Sequence, residues 1–248
     1  MVTLTQGRRR IKVTVGMPVH NARPYVAAAI ESVLSQDFNA FELLIIDDAS
    51  TDGSFDVLRN YRNHPKVRIL SNKKRLGRGG TRNRIIRLAR GKYITPCDAD
   101  DKMMGRNLRR LSAYLDRHPF VGAVYGDMRV HEFTVKGRLV RKSTLGRDCE
   151  KTWDLLENTI NHAGSMIRLS CLKRVGGYDE NIRYAEDWSL WLKLSEIVPV
   201  KYLGGPPVYL WMRRPSKDRS RNFTDGIERI RREAIERRYG LRLKDAAP

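Results

Sequence analysis

The sequence predicts an α/β protein with a mostly parallel central sheet, flanking helices and a smaller antiparallel portion. Three observations lead there. Short apolar runs alternate with helical spacing through the first hundred residues, two of these runs end in acidic clusters, and after residue 101 the alternation gives way to a hairpin pattern around Gly137. At 248 residues with 41% hydrophobic content, the chain is long enough to bury a sizeable core.

Ile11 to Met17 alternates as a strand, and Pro18 is expected to stop it because proline cannot donate to a ladder. A loop runs through Asn21. Pro24 then opens a helix whose apolar positions Val26, Ile30, Val33 and Leu34 recur at helical spacing. Phe41 to Ile46 reads as the next strand, and Asp52 or Ser54 caps a helix reaching about Tyr61. Lys66 to Leu70 is a third strand, Gly80 to Ala89 a helix, and Lys92 to Cys97 a fourth strand. In such sheets ligands bind beyond the carboxyl ends of the strands.

From there the order changes. The pattern predicts a helix over Met104 to Arg117, a strand over Val121 to Tyr125, and an antiparallel stretch from Arg129 to Leu145 turning at Gly137. Trp153 to Leu156 suggests a short helix, Ser165 to Ile167 a strand, Asp187 to Ile197 a helix, and Val208 to Trp211 a strand after the Gly204 to Pro207 break. The polar, basic stretch Arg213 to Asn222 reads as a mobile loop, and a charged helix carrying Ile227, Ile230 and Ile235 starts at Thr224. This divides the chain into a basic extension (1–10), one domain (11–215, with halves of about 11–125 and 126–215) and a basic helical tail (216–248).

The charge balance of 48 Lys and Arg against 28 Asp and Glu gives a formal +20 and predicts attraction to polyanions. Nucleic acid, an anionic membrane face and a phosphorylated substrate all qualify. No helix-turn-helix, zinc-finger or RNA-recognition signature is present, so specific nucleic-acid binding is not expected. No apolar run approaches the ~20 residues of a membrane span, and Met1 to Arg10 lacks the apolar region of a secretory signal. Three cysteines without close pairing support neither a disulfide framework nor a cysteine metal site. A cytoplasmic protein is expected.

Against that positive background the acidic clusters stand out. Asp47-Asp48 follows a strand and precedes a helix, where a turn and cap account for it equally well. Asp98-Ala99-Asp100-Asp101 gathers three carboxylates in four residues, which repel unless a cation or donors offset them. A hard divalent ion wants oxygen ligands and takes the remaining ones from a diphosphate. Glu186-Asp187 opens a helix whose dipole it complements, and beside tryptophan it also suits a general base. Gly77 to Gly80 has neither phosphate-loop spacing, and the five histidines are scattered without paired metal spacing, with His162 in Asn161 to Ser165 the one read as lining a site.

Taken in order, Val15 to Asn21, Ser32 to Gln36, Ile46 to Asp52, Thr81-Arg82-Asn83, Gly91 to Ile94 with Asp98 to Asp101, Val175 to Asp179 and Ala185 to Trp188 resemble glycosyltransferase family 2, the inverting enzymes with the GT-A fold. The resemblance implies a Rossmann-like sheet, a nucleotide-sugar donor and a glycan or lipid-linked acceptor met at a membrane surface, in the service of an envelope polysaccharide. It places Pro18, Val19, Asn21, Asp47, Asp48, Arg82, Asp98 and Ala99 at the nucleotide, with Asp48 on the base. It implies Asp100, with Asp98, as ligands of Mn2+ or Mg2+, Asp187 beside Glu186 as the catalytic base, and His162 and Trp188 near the acceptor. Ala49 and Ile85 stand where the family often has glycine, and the Gln-x-x-Arg-Trp motif of processive synthases is missing, so one sugar is expected per encounter. Nucleotidyl transfer and noncatalytic polyanion binding stay open on sequence alone.

Overall fold

A computed structural model describes residues 10–149, 155, 160–215 and 222–240. Strands β1 (Val13–Val19), β2 (Phe41–Asp47), β3 (Val67–Ser71) and β4 (Tyr93–Pro96) alternate with helices α1 (Val26–Leu34), α2 (Ser54–Arg59) and α3 (Gly77–Leu88), as the periodicity predicts. Then come β5 (Lys102–Met103), α4 (Asn107–Arg117), β6 (Ala123–Gly126) and the hairpin β7 (Met128–Phe133) and β8 (Leu139–Leu145). A single 3-10 turn (His162–Gly164), β9 (Ser165–Arg168), α5 (Leu169–Arg174), α6 (Glu186–Ser195), β10 (Val200–Leu203), β11 (Tyr209–Arg213) and α7 (Asn222–Tyr239) follow.

The large sheet has the order β10-β6-β9-β4-β1-β2-β3. Its pairings are parallel except at β9, which runs antiparallel to β4 and β6. The small sheet has the order β5-β11-β7-β8. The parallel signal therefore does not end at residue 101, as the sequence suggested, because β6 and β10 continue it beyond β9. β2 shows how the sheet is held. Leu43 and Ile45 pack with α1 residues in one apolar cluster, while Leu44 and Ile46 join Ile85 and Ile86 in a second on the opposite face. Each such side chain contributes roughly 1.5–3 kcal/mol.

Pro18 does not end β1, which runs on to Val19. Pairing with β4 stops at Gly16, whose carbonyl accepts the Cys97 N–H, while the Val19 carbonyl accepts from Asp48 on the other side. By alternation the nitrogen of Pro18 faces the side where β4 has already ended, so its missing N–H breaks no ladder bond. The Trp153 to Leu156 helix falls outside the described residues except Leu155, which is buried. The Arg213 to Asn222 loop likewise falls partly outside them. β5, β10 and α5 were not anticipated. The charged helix is present as α7, and its Ile230 and Ala234 are buried in the second cluster with Trp188 and Trp191. These apolar residues are committed to packing and are not available to enter a bilayer. No helix among the described residues is long and apolar enough to cross a membrane.

Candidate active site

Parallel pairing sets the C-terminal ends of β1, β2 and β4 side by side, so the residues after them share one edge. The loops there are laced together. Asn21 N–H donates to Ser50 Oγ (3.0 Å) and its Oδ1 accepts from Thr51 N–H (2.9 Å), while Ala22 N–H donates to Ser54 Oγ and Arg23 N–H to Asp52 Oδ2. Asn21 and Ala49 take left-handed conformations, φ 51 and 55. Asparagine tolerates this; alanine bears a steric cost of about 1–2 kcal/mol, which is why glycine suits position 49. Pro18 is half-buried beside this wall and Val19 is fully buried within it.

Asp47 and Asp48 are both buried but differ in their partners. Asp48 Oδ1 accepts from Asn72 Nδ2 (2.6 Å) and Leu76 N–H (2.8 Å), and Oδ2 from Gly77 N–H (2.9 Å). Its carboxylate fixes the start of α3 and has little acceptor capacity left. Asp47 Oδ2 accepts from Ser50 N–H at 3.2 Å, and its buried Oδ1 has no protein partner among the described residues.

In the acidic loop, Ala99 is buried and the Asp98 N–H donates to Tyr209 OH at 3.0 Å. Asp101 is buried and pins β11, accepting from Met212 N–H (2.8 Å) and Tyr209 OH (3.2 Å). Burial first, then Asp100 and Asp98, push its carboxyl up to about 8. Asp100 is exposed. Its Oδ2 lies 3.5 Å from Arg214, whose guanidinium stacks 3.8 Å over the Tyr25 ring. Burial of the loop and then Asp98 raise its carboxyl, against Arg214.

Arg82, on the second turn of α3, ties the clusters together. Its Nη1 reaches Glu186 Oε1 at 2.6 Å and its Nη2 reaches Asp98 Oδ1 at 2.8 Å. Burial opposes its charge, yet Asp98, Tyr178 and Glu186 together hold it well above the usual arginine value. Reciprocally, burial works to raise Asp98 but the Arg82 charge and hydrogen bond outweigh it and hold the carboxyl low. Next to Arg82, Asn83 clasps the Tyr178 backbone from both sides, donating to its carbonyl (2.9 Å) and accepting its N–H (2.8 Å). A Cβ on Gly177 would stand 2.4 Å from Asn83 Oδ1, which accounts for the glycine before Tyr178.

Glu186 and Asp187 open α6, after Ala185 in a left-handed conformation (φ 60). Glu186 is buried against Arg82, whereas among the described residues Asp187 Oδ1 accepts from the following Trp188 N–H alone (2.9 Å). Burial first and Glu186 second push Asp187 up to about 6. His162 is buried, with Nε2 2.8 Å from Tyr178 OH, and burial followed by Arg82 lowers it to about 3, so it is neutral. Trp188 faces inward, 5% exposed, its indole N–H on the Leu155 carbonyl at 2.5 Å. Trp188 is thus buried where an acceptor-facing side chain was expected, and it anchors α6 to the core. Sequence reasoning missed Asp101 as the pin of β11, Tyr178, whose ring lies 5.6 Å beneath the Arg82 guanidinium, and Arg214 as the partner of Asp100.

Asp100 and the free oxygen of Asp98 fit a hard divalent ion that completes its shell with phosphate oxygens. They do not form a complete protein cage, since no group of three or more candidate ligands is found among the described residues.

Residues 14–176 match the family model for glycosyl transferase family 2. The chain belongs to glycosyltransferase family 2. Within this family it is similar to the chondroitin synthase of Escherichia coli, 28% identical over 207 residues, covering 77% of this chain and 27% of that protein. It thus spans about a quarter of that relative. Among solved structures, S. aureus TarS in complex with UDP-GlcNAc superposes with a TM-score of 0.70 at 21% identity, covering 95% of this chain and 68% of that one. The mannosyltransferase PcManGT of Pyrobaculum calidifontis, in complex with GDP-Man and Mn2+, gives 0.63 at 21% identity over 86% of this chain and 59% of that one. These glycosyltransferase neighbours superpose on most of the chain, so the fold is GT-A.

Proposed function

We propose that the chain transfers one sugar from a nucleotide-sugar, a UDP-sugar first, to a hydroxyl of a glycan or lipid-linked acceptor, with inversion and with the aid of Mn2+ or Mg2+. The observation that carries this reading is the Arg82 bridge, which joins the Asp98 loop to the start of α6 and so brings a diphosphate-side carboxylate and a candidate base to one edge of the sheet. The UDP-GlcNAc held by TarS and the GDP-Man and Mn2+ held by PcManGT support a nucleotide-sugar donor and a divalent ion.

In this reading the nucleobase lies against Pro18, Val19 and Asn21. Asp47 Oδ1, buried without a partner, accepts a base N–H, and Asp48 acts indirectly by fixing the start of α3. Ala99 underlies the ribose. Asp100, with Asp98, would hold the ion, which when bound offsets the charge of the departing diphosphate. Arg82 keeps Asp98 ionised and oriented.

Asp187 takes the proton of the acceptor hydroxyl as the hydroxyl oxygen bonds to the anomeric carbon. The bond from that carbon to the diphosphate oxygen breaks, and the nucleoside diphosphate leaves with the electron pair. A carboxyl raised to about 6 is ionised at neutral pH yet more basic than an ordinary aspartate, as a general base requires. Glu186 orients Arg82, and neutral His162 holds Tyr178 under it on the acceptor side.

Calorimetric titration of UDP, GDP and dTDP with and without Mn2+ tests this. Binding of UDP that requires the ion and weakens at least tenfold in Asp100→Asn is expected; no binding of any of the three nucleotides would overturn it.

A further inference from the structure

We propose that the outer face of the small sheet is a platform for an anionic glycan chain, one bearing phosphate or carboxylate groups, and that this chain is the acceptor of the transfer. The acceptor role rests on the function proposed above; the location rests on the register of the sheet alone.

Residues paired directly across a sheet share a face. One row across the four strands is Lys102, Leu210, Arg129 and Thr144; the next, two residues along, is Met212, His131 and Lys142. The opposite face turns Met103, Tyr209, Met128 and Val130 into the core. On the outer face Lys102, Arg129 and Lys142 are exposed, and His131 is held below its ordinary value by burial, Lys142 and Arg129. Of the small sheet's acidic side chains, Glu132 points the other way and pairs with Arg213. Three cations, Lys102, Arg129 and Lys142, thus share one sheet face with His131 and with no carboxylate among the paired residues, an arrangement whose mutual repulsion an anionic occupant relieves.

Two features choose a chain over a bilayer. The platform begins at Lys102, the residue after the Asp98 to Asp101 loop, so an occupant lying along it is continuous with the transfer site. Within the two basic rows the apolar content is limited to half-buried Leu210 and Met212, and exposed Leu139 and Val140 lie beyond them toward the Gly137 turn, so no continuous apolar surface is set to insert among lipid tails. With strands about 4.8 Å apart, the platform is roughly 14 Å wide, room for an extended chain.

The test compares three full-length proteins: the unaltered chain, a platform variant (Lys102→Gln, Arg129→Gln, Lys142→Gln), and a control variant that removes as many exposed charges elsewhere (Arg62→Gln, Arg87→Gln, Lys173→Gln). Affinities for alginate oligomers, inorganic polyphosphate, neutral dextran and phosphatidylglycerol vesicles are measured at one salt concentration. The platform variant is expected to lose tenfold or more in affinity for alginate or polyphosphate, the control less than threefold, and dextran to bind none of them. Loss of polyanion and vesicle binding to the same degree in both variants would overturn the proposal, since net charge alone then explains it; so would a platform-dependent loss seen with vesicles only. UDP calorimetry on the same three proteins separates the two readings: platform-specific loss with no UDP binding in any protein leaves the platform standing and removes the donor site, and the converse removes the platform alone.

Discussion

Arg82 and Glu186, 104 residues apart in the chain, meet at 2.6 Å in a buried ion pair. Removing one partner of such a pair strands the other charge. Arg82→Met is expected to lower stability by about 3–5 kcal/mol, read as an earlier denaturant midpoint. Arg82→Lys presents a point charge that cannot bridge Glu186 and Asp98 as a planar fork does, and is expected to lower kcat at least tenfold while the protein stays folded.

Asp187 gives a pH signature. With its carboxyl raised to about 6, the rate is expected to fall about tenfold per unit below that pH and to level off above it. Asp187→Asn is expected to lower kcat by about 10²–10⁴ while leaving UDP affinity within a factor of three. The stability sign is the reverse. Between about pH 4 and 6 the folded state binds more protons than the unfolded one, so Asp187 costs stability as pH rises through about 6. Asp187→Asn is therefore more stable than the parent at pH 7, and thermal melts at pH 3, 5 and 7 should show a gain that is absent at pH 3, partial at pH 5 and largest at pH 7.

The paired aspartates should separate cleanly. Asp48→Ala removes hydrogen bonds to Asn72, Leu76 and Gly77 and is expected to cost about 2–3 kcal/mol. Asp47→Ala removes one weak bond and an unpartnered oxygen, so its melt should hardly move while UDP binding weakens about tenfold or more. Melting and calorimetry on the two variants should give opposite patterns.

Ala49→Gly is expected to stabilise the protein by about 0.5–1 kcal/mol, because φ 55 strains alanine and not glycine, less the greater freedom glycine gains on unfolding. That is a rise of about 1–4 °C in Tm for a chain of this size.

Much of this was legible in the sequence because the signals are local. The apolar runs of β1, β2 and β4, the helical spacing of α1 and the Gly137 hairpin each lie within one window of residues. Pro18 was misread because whether a proline breaks a strand depends on which neighbour it faces, and β4 is 75 residues away. β9 was found, but its antiparallel place between β4 and β6 is a nonlocal fact. The clusters themselves were legible, yet their division of labour was not: Asp48 differs from Asp47 only through Asn72, Leu76 and Gly77, and Glu186 differs from Asp187 only through Arg82. Ile85 stands where the family often has glycine, and the structure supplies the compensating feature. Its Cγ2 lies 2.6 Å from where a Cβ on Gly16 would be, so the volume added on α3 is accommodated by the bare backbone of β1.

The position of β9 has a consequence for how the molecule comes off the ribosome. β1 to β4 emerge together, but β4 has no neighbour on its other side until residues 165–168 arrive, about 4–14 s later at ordinary translation speeds. Over that interval Tyr93 to Pro96 is a bare strand edge, the kind that chaperones cover and that seeds aggregation. The carboxylate that completes the Arg82 bridge is synthesised later still, so the donor half is not a separable module: a fragment ending before β9 should be rescued by supplying the remainder in trans, and not by nucleotide.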